Sequence, residues 1–185
     1  PINKLWSVKK MKLIIKNDYN EMSLWAAQHI ADAINNHKEA RPFVLGLPTG
    51  SSPLGVYRRL VEMNKAGKID FSKVKTFNLD EYYPIKRDNS QSYFTFMNEN
   101  LFSHINIDMN NTHVPNGEAE DAEKECKDYE KMLAEAGGVD LQVLGIGENG
   151  HIAFNEPFSS LQSRTRIKTL TSDTIAVNSR FFGGD

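Results

Sequence analysis

Apolar residues recur along the chain in two kinds of segment. Short apolar runs, typical of buried strands, occupy residues 11–16, 42–47, 74–79 and 139–146. Longer segments with apolar residues at helical spacing lie between them, at residues 19–36, 53–64, 90–105 and 119–136. Asn17 and Asp18 offer a cap for the first helix, and residues 110–117 are rich in turn residues. The alternation predicts parallel βαβ units and therefore an α/β fold, a three-layer α/β/α sandwich with a mostly parallel sheet.

Composition narrows the class of protein. The 185 residues are the size of one domain, and the 39% hydrophobic and 25% charged fractions are those of an ordinary globular protein. With a net charge of −2 and no basic stripe, the chain is not expected to bind nucleic acid. No apolar run reaches the length of a membrane span, so no membrane is expected as a partner.

Location is predicted from the cysteine count and the first residues. Cys126 is the single cysteine, so we expect no disulfide framework and a reducing compartment, the cytoplasm. Residues 1–10 lack the long apolar core of a signal peptide and are interpreted as a leader or linker.

Three predicted strands end in polar sequence, at the edge where open α/β sheets bind ligands. The first end is residues 48–53, PTGSSP. Gly50 permits a tight turn close to a ligand, Ser52 is a candidate N-cap, and Pro53 suits the first helical position. A helix N-terminus behind small hydroxyl residues can bind an anion, although an ordinary strand-to-helix turn has the same pattern.

The second polar end, residues 78–83, contains the adjacent carboxylates Asp80 and Glu81. Side chains alternate along a strand, so the two carboxylates are expected to point in different directions. One of them can face the cleft as a base while the other holds the structure. A pair of solvated loop acids is the alternative.

The third polar end, residues 145–157, matches the glycine spacing G-x-G-x-x-G. A dinucleotide site is disfavoured because that motif opens a helix in the first βα unit, whereas here it comes late and Pro157 would break a helix. The segment places His151 near Asn149 and Glu156, which is a standard acid/base arrangement. A histidine with a purely structural role remains the alternative.

At these three segments the chain resembles the glucosamine-6-phosphate deaminase family. The matching stretches are LGLPTGSSPLGVY, TFNLDEYY and LGIGENGHIAFNEPFSSLQSRTRIKTLT, and the resemblance runs from about residue 11 to the end of the chain. It implies a Rossmann-like sheet and the conversion of α-D-glucosamine 6-phosphate and water to fructose 6-phosphate and ammonia. It also implies a sugar-phosphate ligand, a homo-oligomer, and no metal or organic cofactor.

The resemblance assigns roles residue by residue. The carboxylate matching Asp80 moves a proton from C2 to C1 of the open-chain sugar, and the histidine matching His151 opens the ring. The carboxylate matching Glu156 orients that histidine. The residues matching the phosphate site are Thr49, Gly50, Ser51, Ser52 and Arg180. The residues matching an allosteric site for an N-acetylated sugar phosphate are Ser159, Arg166 and Lys168, and two solvated cations are the alternative there.

Two departures from the family pattern stand out. Asn149 replaces the aspartate that some members carry, so it cannot exchange a proton. The family's chains also run on past Arg180, contributing a phosphate-binding lysine, further sheet and lid elements. We therefore expect residues 11–185 to form one domain that is truncated at its C-terminus.

Two other functions are compatible with the same pattern. A 6-phosphogluconolactonase is similar in fold and also carries a Gly-His motif, but residues 154–157, FNEP, favour the deaminase. A non-catalytic sugar-phosphate sensor would have no need to retain Asp80, His151 and Glu156 together.

Overall fold

The computed structural model describes residues 11–147, 149–172 and 174–175. The helices are α1 (Tyr19–Asn35), α2 (Leu54–Lys65), α3 (Tyr93–Asn100) and α4 (Ala122–Glu135). The strands are β1 (Phe43–Leu47), β2 (Val74–Asn78), β3 (Thr112–His113) and β4 (Leu141–Gln142). Single 3₁₀ turns follow α3 and precede β3, at Phe102–His104 and Met109–Asn111.

The strands form one parallel sheet in the order β3-β2-β1-β4, which confirms the prediction of a parallel sheet. β1 and β2 pair in register from Phe43 with Val74 to Leu47 with Asn78. The carboxyl ends of the two strands are therefore side by side. The chain segments that follow Leu47 and Asn78 leave the sheet at the same edge, where the sequence predicted a site.

Helices cover both faces of the sheet. Leu45 and Leu47 face a large buried cluster that includes residues of α1, α2 and α3. Val44, the residue before Leu45, faces a smaller cluster with Phe77 and Tyr129 on the α4 side. Neighbouring strand residues point to opposite faces, so β1 is buried on both sides, as parallel strands usually are. The predicted three-layer sandwich is confirmed.

Side-chain caps fix the starts of three helices. Asp18 accepts a hydrogen bond from the N–H of Glu21 at 2.8 Å, as the sequence predicted for α1. Ser92 caps α3 and Asp121 caps α4 in the same way. The prediction that Ser52 caps α2 is wrong, since no side-chain cap forms there. The hydroxyl of Tyr19 accepts from the N–H of Gly55 at 2.7 Å instead.

The predicted strand at residues 11–16 is also wrong. Its apolar residues Met11, Leu13 and Ile15 are 93%, 75% and 82% exposed. A strand needs a neighbour for its backbone groups, and within the described residues neither edge of the sheet pairs with this segment.

Three other element boundaries differ from the predictions. Of residues 139–146, only Leu141–Gln142 pairs as a strand, because β1 ends at Leu47 and the following Pro48 has no N–H to extend the ladder. The helix predicted over residues 90–105 is shorter, and the turn-rich residues 110–117 contain β3.

Candidate active site

The loop between β1 and α2 is held from behind by two tyrosines. Tyr57 donates a hydrogen bond from its hydroxyl to the carbonyl of Pro48. The Tyr19 hydroxyl lies 3.0 Å from the carbonyl oxygen of Ser52. Gly50 has a φ of 90°, a conformation that favours glycine, and Ser51 is exposed. The loop therefore presents its small hydroxyl residues outward from a fixed backbone.

The adjacent carboxylates of the second strand end have different surroundings. Glu81 accepts hydrogen bonds from the backbone N–H groups of Tyr82, Tyr93 and Phe94 at 2.9, 2.9 and 3.1 Å. It thereby binds the start of α3, and burial raises its pKa. Asp80 accepts instead from the backbone N–H of Phe154. The two side chains diverge, as the alternation of strand side chains predicted.

The environment of Asp80 raises the pKa of its carboxyl group to about 7. Burial is the largest cause, and the negative charge of Glu81 adds to it. The hydrogen bond from Phe154 acts in the opposite direction, because it stabilises the ionised form. A carboxyl group with this pKa is a competent base and, once protonated, a competent acid near neutral pH.

Aromatic side chains join the three strand ends. Tyr93 forms a side-chain hydrogen bond with Thr49 of the first end and another with Tyr82 of the second. Phe154 of the third end lies against both tyrosines, with ring centroids 5.9 Å from Tyr82 and 6.3 Å from Tyr93. The predicted polar ends therefore meet in one place.

His151 is oriented by Asn149. The side-chain oxygen of Asn149 lies 3.1 Å from the backbone N of His151 and 2.7 Å from Nδ1 of its ring. The backbone N–H can only donate, so this oxygen is an acceptor and Nδ1 carries the proton. The other ring nitrogen, Nε2, then has a free lone pair. This arrangement suits a base that takes a proton from a bound ligand.

Gly147 makes room for the imidazole. A Cβ added at Gly147 would lie 2.3 Å from Nε2 of His151, and the Gly147 N–H donates to the carbonyl of His151 at 2.9 Å. Gly150 closes the turn with a φ of 85°. The glycine spacing thus serves a tight turn under a histidine, which gives it a role without a dinucleotide.

Glu156 is buried and makes its hydrogen bonds to threonines. Its Oε1 accepts from the hydroxyl of Thr174 at 2.7 Å and from the N–H and hydroxyl of Thr171 at 3.3 and 3.2 Å. These bonds, that of Thr174 foremost, lower the pKa of Glu156, and attraction to His151 is a lesser cause. Oε2 is buried with no hydrogen-bond partner among the described residues. The structure therefore brings Glu156 near His151 but gives the ring's hydrogen bond to Asn149.

A cavity of about 490 Å³ opens beside Asp80. It is lined by acidic residues of α4, by the segment that follows the histidine loop, and by the cations Arg166 and Lys168. Arg166 donates to the side-chain oxygen of Asn155 at 3.0 Å. Glu130 accepts from the N–H of Thr165 at 2.7 Å and so fixes the segment that carries both cations.

The described residues contain no group of three His, Cys, Asp or Glu side chains placed to hold a metal ion. Over residues 11–147, 149–172 and 174–175, no helix has both the length and the apolar character that crossing a membrane requires.

Comparison with known proteins identifies the family of this chain. The family model described as glucosamine-6-phosphate isomerases/6-phosphogluconolactonase matches residues 17–171. The chain belongs to this family. Within it, the chain is 58% identical over 177 residues to a glucosamine-6-phosphate deaminase of Phocaeicola vulgatus, covering 95% of this chain and 67% of that protein. Further curated relatives at 54–55% identity carry the same name, and the chain spans about two thirds of the length of these relatives.

Solved structures of the family agree with the fold. The structure of a monomeric glucosamine-6-phosphate deaminase superposes with a TM-score of 0.89 at 41% identity, over 94% of this chain and 71% of that one. A 6-phosphogluconolactonase from Thermotoga maritima is more distant, with a TM-score of 0.64 at 28% identity over 76% and 62% of the two chains. The α/β, Rossmann-like fold of the family is thereby confirmed.

Not every residue that the family resemblance singled out lies at this site. Arg180 is outside the described residues. Ser159 is half-buried but does not line the cavity that contains Asp80, Arg166 and Lys168. The other residues that the resemblance singled out and that do not line this cavity are Thr49, Gly50, Ser51, Ser52, Asn149, His151 and Glu156.

Sequence reasoning missed several residues that shape the site. They are Tyr19, Tyr82, Tyr93, Thr171 and Thr174. Thr171 and Thr174 come soon after the segment that contains Glu156, but their distance from Glu156 along the sequence does not indicate that they contact it.

Proposed function

We propose that the chain carries the catalytic site of a glucosamine-6-phosphate deaminase, which converts α-D-glucosamine 6-phosphate and water to fructose 6-phosphate and ammonia. One observation carries the proposal: Asp80, with a pKa of about 7, lies where the three strand ends meet. The curated relatives of this family, at 54–58% identity, are named for the same activity.

Asp80 acts as the base that removes the proton from C2 of the open-chain amino sugar. The protonated carboxyl group then returns the proton to C1, which leaves an imine at C2. Water adds to this C2 carbon, ammonia leaves, and the ketone of fructose 6-phosphate remains. A group that must first accept and then donate the same proton works best with a pKa near the working pH. An ordinary aspartate, with a pKa near 4, would hold the proton too weakly for the first step.

His151 acts one step earlier, on the cyclic sugar. With Nδ1 directed to Asn149, Nε2 is free to exchange a proton with the sugar ring. Asn149 holds the ring through a neutral oxygen, so the proton relay ends at the imidazole. Glu156 acts on His151 through its negative charge, from a position fixed by Thr171 and Thr174.

The phosphate group binds at the loop after β1. Thr49, Gly50, Ser51 and Ser52 supply hydroxyl and N–H donors there, and the fixed backbone keeps the exposed Ser51 and Ser52 directed outward. Arg180, by resemblance, adds a guanidinium group to the phosphate.

The position of Asp80 argues against a pure sensor. Keeping a carboxyl group where its pKa rises to about 7 destabilises the folded protein at neutral pH. A binding site gains nothing from this cost, whereas a group that first accepts and then donates a proton near neutral pH benefits from it. Hydrolysis of a lactone involves no such transfer.

Arg166 and Lys168, which share the cavity with Asp80, are candidates for binding an N-acetylated sugar phosphate that regulates the enzyme. Both cations line the same cavity, and Glu130 fixes the segment that carries them. Titrating N-acetylglucosamine 6-phosphate against the substrate KM tests this role. An unchanged KM would contradict it.

We also propose a homo-oligomer in the cytoplasm. A cysteine-poor sequence supports a reducing compartment. Since the structural relative with a TM-score of 0.89 is described as monomeric, the assembly of this protein is a separate question. Sedimentation velocity of the full-length protein tests it, and a single monomeric species would contradict an oligomer.

The choice between the two family activities is tested by offering both substrates to the full-length protein. We expect release of ammonia from glucosamine 6-phosphate and no enzymatic acceleration of 6-phosphogluconolactone hydrolysis. Lactone hydrolysis without ammonia release would replace this proposal with the lactonase.

A further inference from the structure

The hydroxyl of Tyr19 bridges the β1–α2 loop and the first turn of α2. Its oxygen accepts a hydrogen bond from the N–H of Gly55 at 2.7 Å. The same oxygen lies 3.0 Å from the carbonyl of Ser52 and 3.3 Å from that of Ser51, and its single proton is donated between them. One side chain from α1 therefore contacts both sides of the turn that begins α2.

Close packing of α1 on α2 makes this contact possible. A Cβ added at Gly55 would lie 2.3 Å from Oγ of Ser23 and 2.8 Å from the ring of Tyr19. Ser23 is 1% exposed, so neither helix has room to withdraw without opening the core. Only glycine at position 55 lets the tyrosine ring lie this near to the helix backbone.

The contact also changes which groups of the turn are available to a ligand. The first N–H groups of a helix normally bind a cap or an anion. Here the N–H of Leu54 donates to the carbonyl of Ser51 at 3.4 Å, and that of Gly55 donates to Tyr19. Ser52 does not cap the helix with its hydroxyl. The exposed hydroxyls of Ser51 and Ser52 are left for a ligand.

We propose that Tyr19 is a positioning residue for phosphate binding: it holds the β1–α2 loop in its binding shape without touching the substrate. This rests on the proposed function, in which residues 49–52 bind the phosphate group. Without the hydroxyl, Gly55 and Ser52 lose their partner and the loop around Gly50 gains freedom. Binding of phosphate must then order the loop, which weakens binding.

Loss of the Tyr19 hydroxyl should weaken substrate binding and leave the rate of the chemical step unchanged. The phosphate is remote from the reacting carbons and is bound equally in the ground state and the transition state. Loss of such uniform binding raises KM and leaves kcat unchanged. A general loss of structure would lower kcat as well.

Tyr19→Phe in the full-length protein tests the proposal. We expect the Kd for inorganic phosphate and the KM for glucosamine 6-phosphate each to rise by roughly a factor of ten, as for one lost hydrogen bond, with kcat within about twofold. Ile30→Val, which shortens a buried side chain of the same helix away from the loop, is the matched control. It should lower thermal stability and leave both constants unchanged.

The outcomes separate this proposal from the deaminase activity. Unchanged constants in Tyr19→Phe, or a fall in kcat at constant KM, would overturn the positioning role. If the unmodified protein binds phosphate but releases no ammonia, the activity is wrong, and the phosphate Kd of the variant still decides on Tyr19. If the unmodified protein does not bind phosphate, there is no site for Tyr19 to position and the positioning role fails, while ammonia release alone decides on the activity.

Discussion

The backbone N–H of Phe154 donates a hydrogen bond to the carboxylate of Asp80. This bond ties the end of β2 to the loop that carries His151, two segments that are far apart in sequence. The bond also places the Asp80 carboxyl group, with its raised pKa, next to the histidine loop and not at an isolated position on the surface. The catalytic account depends on that relationship, because proton transfer and ring opening must act on one bound sugar.

The first prediction concerns pH. Since Asp80 must be ionised to remove the C2 proton, kcat/KM should fall with an apparent pKa of about 7 as the pH is lowered. Glu81→Gln removes the negative charge that helps to raise this pKa and keeps an oxygen for the N–H of Tyr93 in α3. The acid limb of its profile should therefore move to lower pH. A limb that stays in place would show that another group controls it.

The second prediction concerns stability. The folded protein holds the Asp80 proton up to about pH 7, whereas the unfolded chain loses it near pH 4, so this group lowers stability progressively between those values. Asp80→Asn cannot ionise and should be more stable than the unmodified protein at pH 8. Because Asp80 as a whole residue is only half-buried, nearby solvent weakens the effect, and we expect a difference of only about 1–2 kcal/mol in urea unfolding.

Asp140→Asn is the control for this measurement. Its change in the free energy of unfolding should have the opposite sign. The hydrogen bond from Arg41 lowers the pKa of Asp140, so its stabilising effect is present above pH 4 and lost as the pH falls below it. The asparagine variant should therefore be less stable at pH 8. Equal effects of the two substitutions would contradict the electrostatic account of Asp80.

The third prediction separates ring opening from proton transfer. His151→Gln should slow turnover of cyclic glucosamine 6-phosphate by roughly 10²-fold or more, because it removes the acid/base group. Exchange of the corresponding carbon-bound proton of fructose 6-phosphate with solvent should be affected much less. Asn149→Ala removes the oxygen that orients the ring and should give a weaker version of the same pattern. Equal losses in the two assays would contradict the assignment of His151.

Local pattern was enough to predict the central elements. α1 and the pair β1 and β2 follow from apolar spacing, and Asp18 caps α1 as the residue type suggested. The segment 11–16 has the same apolar character as β1, but whether such a segment becomes a strand depends on a pairing neighbour, which periodicity does not reveal.

The candidate site was predictable only in part, for the same reason. Gly50, Asp80 and His151 stand out because they follow predicted strands at one edge of the sheet. Tyr19 and Thr171 do not stand out, since each acts through a contact across the fold with no local sequence signal. The partner of His151 is a further case: the resemblance gave the orienting role to Glu156, and only the geometry gives the hydrogen bond to Asn149.

The most direct test of the central claim is ammonia release from glucosamine 6-phosphate by the full-length protein and its Asp80→Asn variant, measured together with fructose 6-phosphate. We expect the unmodified protein to form the two products in equal amounts. The variant should fold and bind phosphate normally but turn over roughly 10²–10⁴-fold more slowly, as for loss of a positioned base. Turnover by Asp80→Asn within a few-fold of the unmodified protein would contradict the role of Asp80 as the base.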